Sequence, residues 1–185
     1  MNIFKYKVKN HKLIKEFVLS EIDKHPKCEI NGLKCSINKT DFFQNKKNQP
    51  KEIHAYFKFF EENEPEFYET LNERHFVSSM RVSNYWYQQY VENDMHNWHI
   101  HPIANLSYVY YVELNDSSLV TEFYDIDTKK TFQPNAEEGD IIVFDSYTPH
   151  RSPKVLSDTR KTIISSNLEF DVDIDLEQFE NELSQ

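Results

Sequence analysis

From about residue 76 onward the chain breaks into short runs dominated by Val, Ile, Tyr, Phe and Thr: FVSSMRVSNYWYQQYV, NLSYVYYVEL, LVTEFYDI, KTFQP, DIIVFD and RKTIISSNLEF, with turn-forming residues between them. β-Branched and aromatic side chains favour a pleated backbone, and runs at this spacing predict antiparallel strands packed in two facing layers. The main helical patterns gather in the first 75 residues. There Leu13, Ile14, Phe17, Val18 and Ile22 recur at helical spacing between a candidate cap, Asn10, and a stop at Pro26. A second pattern opens at Pro50 and aligns Ile53, Tyr56, Phe57 and Phe60, and a third begins near Pro65 with Phe67 and Leu71. Strands following helices in this way imply a mainly β, α+β architecture, a β-sandwich or jelly roll with the N-terminal helices packed outside.

The 185 residues, 38% of them hydrophobic with eleven Tyr and fourteen Phe, are enough to bury a true core. The expectation is one domain, made of a helical and hairpin region (1–75), a strand-rich core (76–170) and an acidic tail or short helix (171–185) carrying Leu176, Phe179 and Leu183. No apolar run approaches the 18 or so residues of a membrane span, and the first residues alternate Lys with apolar side chains, so a cytoplasmic protein without a membrane partner is expected. Two glycines in the whole chain exclude a glycine-rich phosphate-binding loop. Asn31-Gly32 is a hairpin signal that would set Cys28 opposite Cys35, as reduced thiols in that compartment. The net charge of −10 is uneven, residues 1–60 carrying 13 Lys against 6 acids. The acidic remainder would repel a phosphate backbone, so nucleic acid is not an expected partner.

The segment HNWHIHP, residues 96–102, carries the chemistry. In an extended strand residues two apart face the same side, so His99 and His101 can reach one ion. A third ligand must come from another strand, and His150 stands at the far end of the apolar run that Gly139 launches. Ten residues later come Arg160, Lys161 and Thr162. A guanidinium is a planar two-pronged donor matched to a carboxylate. Imidazoles for an ion, with a guanidinium and a hydroxyl for an acid, suit a dicarboxylic co-substrate that chelates the metal at one end, the demand made by 2-oxoglutarate.

Residues from about 83 to 168 resemble the iron(II)- and 2-oxoglutarate-dependent oxygenase superfamily, and within it a bacterial and phage group with the signature His-x-His-Pro, Ser-Gly-Val-Tyr-Tyr, Pro...Gly-Asp...Phe...His and Arg-x-Ser. Here these read His99-Ile100-His101-Pro102, Ser107-Tyr108-Val109-Tyr110-Tyr111, Pro134...Gly139-Asp140...Phe144...His150 and Arg160-Lys161-Thr162. The resemblance implies a double-stranded β-helix with His99, His101 and His150 as iron ligands. It also implies that Arg160, Thr162 and Tyr110 hold the distal carboxylate of 2-oxoglutarate. The implied cofactors are Fe(II), 2-oxoglutarate and O2, and the implied reaction is hydroxylation of a protein residue such as proline, or of a small molecule. Two residues depart from the pattern. The usual set is two histidines and a carboxylate, but His101 stands at the carboxylate position, and no acid lies nearer in sequence than Asp94 or Glu113. Tyr108 replaces a glycine, which would narrow the pocket wall. Tyr85, Trp86 and Tyr87 read as packing. The competing classes are a cupin-like metalloprotein, whose glutamate would fall on the non-acidic Asn105 or Leu106, and a non-catalytic jelly roll that binds a metal or a partner.

Overall fold

The computed structural model describes residues 2–42, 55–75, 77 and 79–170. Two six-stranded sheets, antiparallel in every pairing among the described residues, face each other. The major sheet runs β1 (Ile3–Lys7), β10 (Asp140–Asp145), β7 (Leu106–Leu114), β12 (Lys161–Glu169), β5 (Arg81–Tyr90) and β4 (Lys39–Thr40). The minor sheet runs β2 (Ile30–Asn31), β3 (Cys35–Ile37), β6 (Met95–His99), β11 (His150–Ser152), β8 (Glu122–Asp125) and β9 (Lys130–Phe132). This is the jelly roll anticipated from the strand runs.

Strand β7 is buried along its whole length because both its faces are covered. Tyr108, Tyr110 and Val112 join a cluster with the helices, whereas Val109 and Tyr111 join a second cluster between the sheets. The helices α1 (His11–Lys24), α2 (Ala55–Asn63) and α3 (Pro65–His75) supply Ile14, Val18, Ile22, Phe60, Phe67 and Leu71 to the first cluster. Each such fully buried side chain contributes about 1.5–3 kcal/mol. Glu64 ties the helices to β1, its carboxylate accepting from the Tyr6 hydroxyl (2.7 Å) and from the backbone N–H groups of Lys9 and Asn10. Gly139 opens β10 at φ +88°, where a Cβ would also meet the His11 ring at 2.9 Å.

Three local expectations are corrected. Asn10 makes no side-chain cap; its amide instead donates to the Asn63 carbonyl (3.0 Å), tying α1 to the end of α2. Leu13 is half exposed, and the buried stripe of α1 is Ile14, Val18 and Ile22, the strict i, i+4, i+8 row. Cys28 does not oppose Cys35, because Ile30 pairs with Ile37 and the Gly32 N–H donates to the Cys35 carbonyl, shifting the hairpin register; both thiols are free. The beginning of the second helix at Pro50 and the acidic tail lie outside the described residues.

Candidate metal centre

The pairing of β6 with β11 sets His99 directly opposite His150, with ring centroids 4.2 Å apart. His101 lies just past the end of β6, where its backbone N–H donates to the Ser146 carbonyl (2.8 Å) and fixes the turn. Its ring centroid is 5.1 Å from each of the other two. Candidate ligand nitrogens of the three lie within 4.8 Å of one another. Metal–nitrogen bonds of about 2.1 Å hold such atoms at most about 4 Å apart, so the rings would draw slightly inward on an ion.

The tautomers are set by the backbone. Nδ1 of His99 lies 2.8 Å from the Asn97 carbonyl and Nδ1 of His150 lies 2.9 Å from the Thr148 carbonyl, each two residues back. A carbonyl only accepts, so both Nδ1 atoms carry the proton and both Nε2 lone pairs are left for an ion. Burial, reinforced by the neighbouring rings, lowers the pKa of His101 to about 4 and of His150 to about 2, and burial also lowers that of His99. All three are therefore neutral and able to coordinate at neutral pH. The donor set fits a first-row divalent metal such as iron(II).

No carboxylate among the described residues joins the cluster. Asp94 turns away to accept from the Val91 N–H (2.9 Å) and the Ser36 hydroxyl (2.6 Å), and Glu113 is on the opposite face of the major sheet. A fourth imidazole, His96, stacks on His99 at 3.9 Å and 15°. Stacked rings keep their lone pairs in nearly parallel, offset planes, so His96 packs against His99 and is not part of the converging group of three.

The histidines line a cavity of about 440 Å³ between the sheets. Trp86, expected only to pack, is part of its wall, with its ring 5.6 Å from that of His101. Near one end of this cavity lies the feature that sequence reasoning missed. Lys161 is 0% exposed, and its ammonium donates to the Leu119 carbonyl (2.9 Å) and to Ser152 Oγ (2.5 Å) and sits 4.7 Å over the Tyr90 ring. Ser152 and Tyr90 both line the cavity. No ion pair to Lys161 exists among the described residues, and burial lowers its pKa to about 7.

Arg160, Thr162 and Tyr110 do not reach the cavity. Arg160 holds Glu113 with two hydrogen bonds (2.8 and 2.7 Å), Thr162 donates to the same carboxylate, and the Tyr110 hydroxyl pairs with His11 Nδ1 (2.8 Å) under α1. The reason is the two-residue period of a strand. Ile163 belongs to the inner cluster, so Lys161 shares its face, and Arg160 and Thr162 fall on the other. The available signal was that phase: of the three residues 160–162, only Lys161 is an even number of positions from Ile163, Ser165 and Asn167.

No protein-family model and no curated protein sequence matches the chain. Solved structures do. One is an oxidoreductase of the 2OG-Fe(II) oxygenase family from Burkholderia pseudomallei (TM-score 0.70, 9% identity, 90% of this chain and 85% of that one). Another is the viral collagen prolyl hydroxylase of Paramecium bursaria Chlorella virus-1 in complex with 2OG (0.58, 12%, 91% and 96%). A third is the non-heme alpha-ketoglutarate-dependent epimerase of nogalamycin biosynthesis (0.65, 9%, 89% and 76%). At these identities the likeness establishes the fold.

Proposed function

We propose that this chain is an iron(II)- and 2-oxoglutarate-dependent oxygenase, most simply a hydroxylase, of the bacterial and phage type whose signature its sequence resembles. The observation that carries the reading is one cavity with neutral imidazoles converging on its wall and a buried, unpaired ammonium behind Ser152 and Tyr90. Burying a charge without a counter-ion is costly, so such a group calls for an anionic ligand.

In this reading His99, His101 and His150 hold the ion, and Lys161, in the role first expected of Arg160, receives the distal carboxylate of the co-substrate. Ser152, which accepts from Lys161 and itself lines the cavity, sets the ammonium directly behind the cavity wall. Iron held there would supply oxygen activation coupled to the oxidative decarboxylation of 2-oxoglutarate. Three neutral ligands leave the double positive charge of the ion unreduced, which favours a dianionic co-substrate. Leu119, Phe123 and Phe144 pack into the core between the sheets and exclude water from that side. The solved relatives described as oxygenases support the reading through the shared fold.

The test is anaerobic titration with iron(II) and then 2-oxoglutarate. A weak visible charge-transfer band should grow in only when both are present, and Lys161→Met should require far more co-substrate to reach it. A protein that binds iron but forms no band, or a Lys161→Met variant that titrates like the wild type, would overturn the assignment.

A further inference from the structure

The inner face of the major sheet changes character along its length. On β5 and β12 the facing pairs are Tyr90 with Lys161, Gln88 with Ile163, Trp86 with Ser165 and Asn84 with Asn167, and Asn167 also faces Ser107 on β7. One end is an ammonium over an aromatic ring. Beyond it every polar group is an uncharged amide or hydroxyl.

Two of the buried amide and hydroxyl groups lack partners among the described residues. Gln88 is 5% exposed and Ser165 is 6% exposed; both line the cavity, and neither side chain makes a hydrogen bond to any described residue. Buried polar side chains are ordinarily paired, so an amide and a hydroxyl left open towards a cavity mark a place for a ligand. Next to them the Ser107 hydroxyl donates to Asn167 Oδ1 (2.8 Å), which occupies the acceptor of that amide and leaves its NH2 group to donate. Trp86 adds a flat apolar wall, braced edge-on by Phe42 at 5.3 Å and 82°.

Charge narrows the class. No carboxylate lines the cavity among the described residues, so a cationic substrate would meet no counter-ion. Among the described residues Arg151 is the only arginine or lysine lining it, and it is engaged, with Nε 2.5 Å from Glu122 and its guanidinium 4.8 Å over the Trp98 ring. A second anion beside the co-substrate would find no free cation.

We propose that Gln88, Ser165 and Asn167, with Trp86 as wall, form the bed of the primary substrate and select an uncharged molecule presenting an amide. An amide plane lies flat on an indole while its edge offers both a donor and an acceptor, which is what Gln88, Ser165 and Asn167 complement. The amide comes either from a peptide chain or from a free carboxamide or lactam. This rests on the oxygenase reading and names the substrate class of the same site.

The test is calorimetric titration of the protein loaded anaerobically with Mn(II) and 2-oxoglutarate. The probes are N-acetylated, C-amidated tripeptides with a neutral, Glu or Lys central residue, together with benzamide and 2-piperidone. Neutral probes should bind at least tenfold more tightly than charged ones. A lead of the tripeptides over the small amides identifies a peptide substrate, and the reverse identifies a small molecule. Asn167→Asp should shift the preference to the Lys tripeptide, and Ser165→Ala, a smaller change, should weaken the neutral probes several-fold. Charged probes binding as well as neutral ones, no probe binding, or an Asn167→Asp ranking like the wild type would each overturn the proposal. If Mn(II) and 2-oxoglutarate themselves fail to bind, the oxygenase reading fails separately, and the same probes titrated on the metal-free protein still decide the bed.

Discussion

Arg160 and Lys161 are consecutive in the chain and opposite in situation. Arg160 lies on the helix-covered side, partly exposed, gripped by Glu113, which holds its guanidinium above the ordinary value. Lys161 lies on the cavity side, fully buried, with no acid paired to it among the described residues, and burial pushes its pKa down. A cation already paired inside the fold has little left to offer a ligand. One that is buried and unpaired is destabilised until an anion arrives, so its charge is available for binding. In the proposed reading the inner face of the major sheet serves ligands and the outer face serves the fold.

The largest effect that sharpens this contrast is expected at the ion. His150→Ala should abolish iron-dependent turnover while leaving a cooperative thermal transition in the metal-free protein; loss of folding would assign His150 to the core and blur the two faces. Next comes Lys161→Met, which should weaken 2-oxoglutarate binding by about 2–3 kcal/mol, roughly 30- to 150-fold, by loss of a charge-assisted contact. The same substitution removes an unpaired buried charge, so the melting temperature of the ligand-free variant should hold or rise, a combination that scanning calorimetry reads directly.

An intermediate effect concerns pH. The Lys161 pKa is about 7 in the fold against the ordinary 10.5, so between those values the unfolded chain binds more protons than the native one. By linkage its contribution makes the ligand-free protein more stable as pH rises through that window. Binding of a carboxylate needs the charged form, so 2-oxoglutarate affinity should fall as pH climbs above about 7, by up to about tenfold per unit, with proton uptake on binding. Calorimetry in buffers of different ionisation enthalpy measures that uptake, and an affinity flat from pH 7 to 9 would rule Lys161 out as the anchor. The smallest effects belong to the outer face. Arg160→Met should cost about 1 kcal/mol of stability, given its exposure, and change 2-oxoglutarate affinity less than twofold. Tyr110→Phe, which loses only the bond to His11, should behave likewise.

Much of this was legible in the sequence. The strand runs predicted the layered β architecture, and His-x-His with a later histidine picked out three residues that the fold brings together, although His150 opens the separate strand β11 instead of ending β10, and His101 lies just past the end of β6. The site beyond them was less legible. Whether Arg160 or Lys161 faces inward depends on the phase with which β12 enters the sheet after the loop that follows His150, and no residue of that loop encodes it. β12 also shifts register against β7 between Thr162 and Ile163, which no alternation pattern anticipates. Trp86 and Gln88 looked like ordinary strand residues, since only the facing sheet turns them into a wall. The Cys28 and Cys35 expectation failed for a similar reason, in that the hairpin turns two residues later than its Asn-Gly pair suggested, about Leu33 and Lys34.

His99 and His150 face each other across neighbouring strands of the minor sheet, one of which, β11, is only three residues long. An ion held between them is also a rivet through the thinner wall of the barrel, joining chain segments 51 residues apart in sequence. A ligand that binds only the folded chain stabilises it in proportion to the logarithm of its concentration, about 2.7 kcal/mol at a hundredfold excess over the dissociation constant. The heat resistance of this protein would then work as a gauge, reporting how much free metal surrounds it before any substrate is turned over.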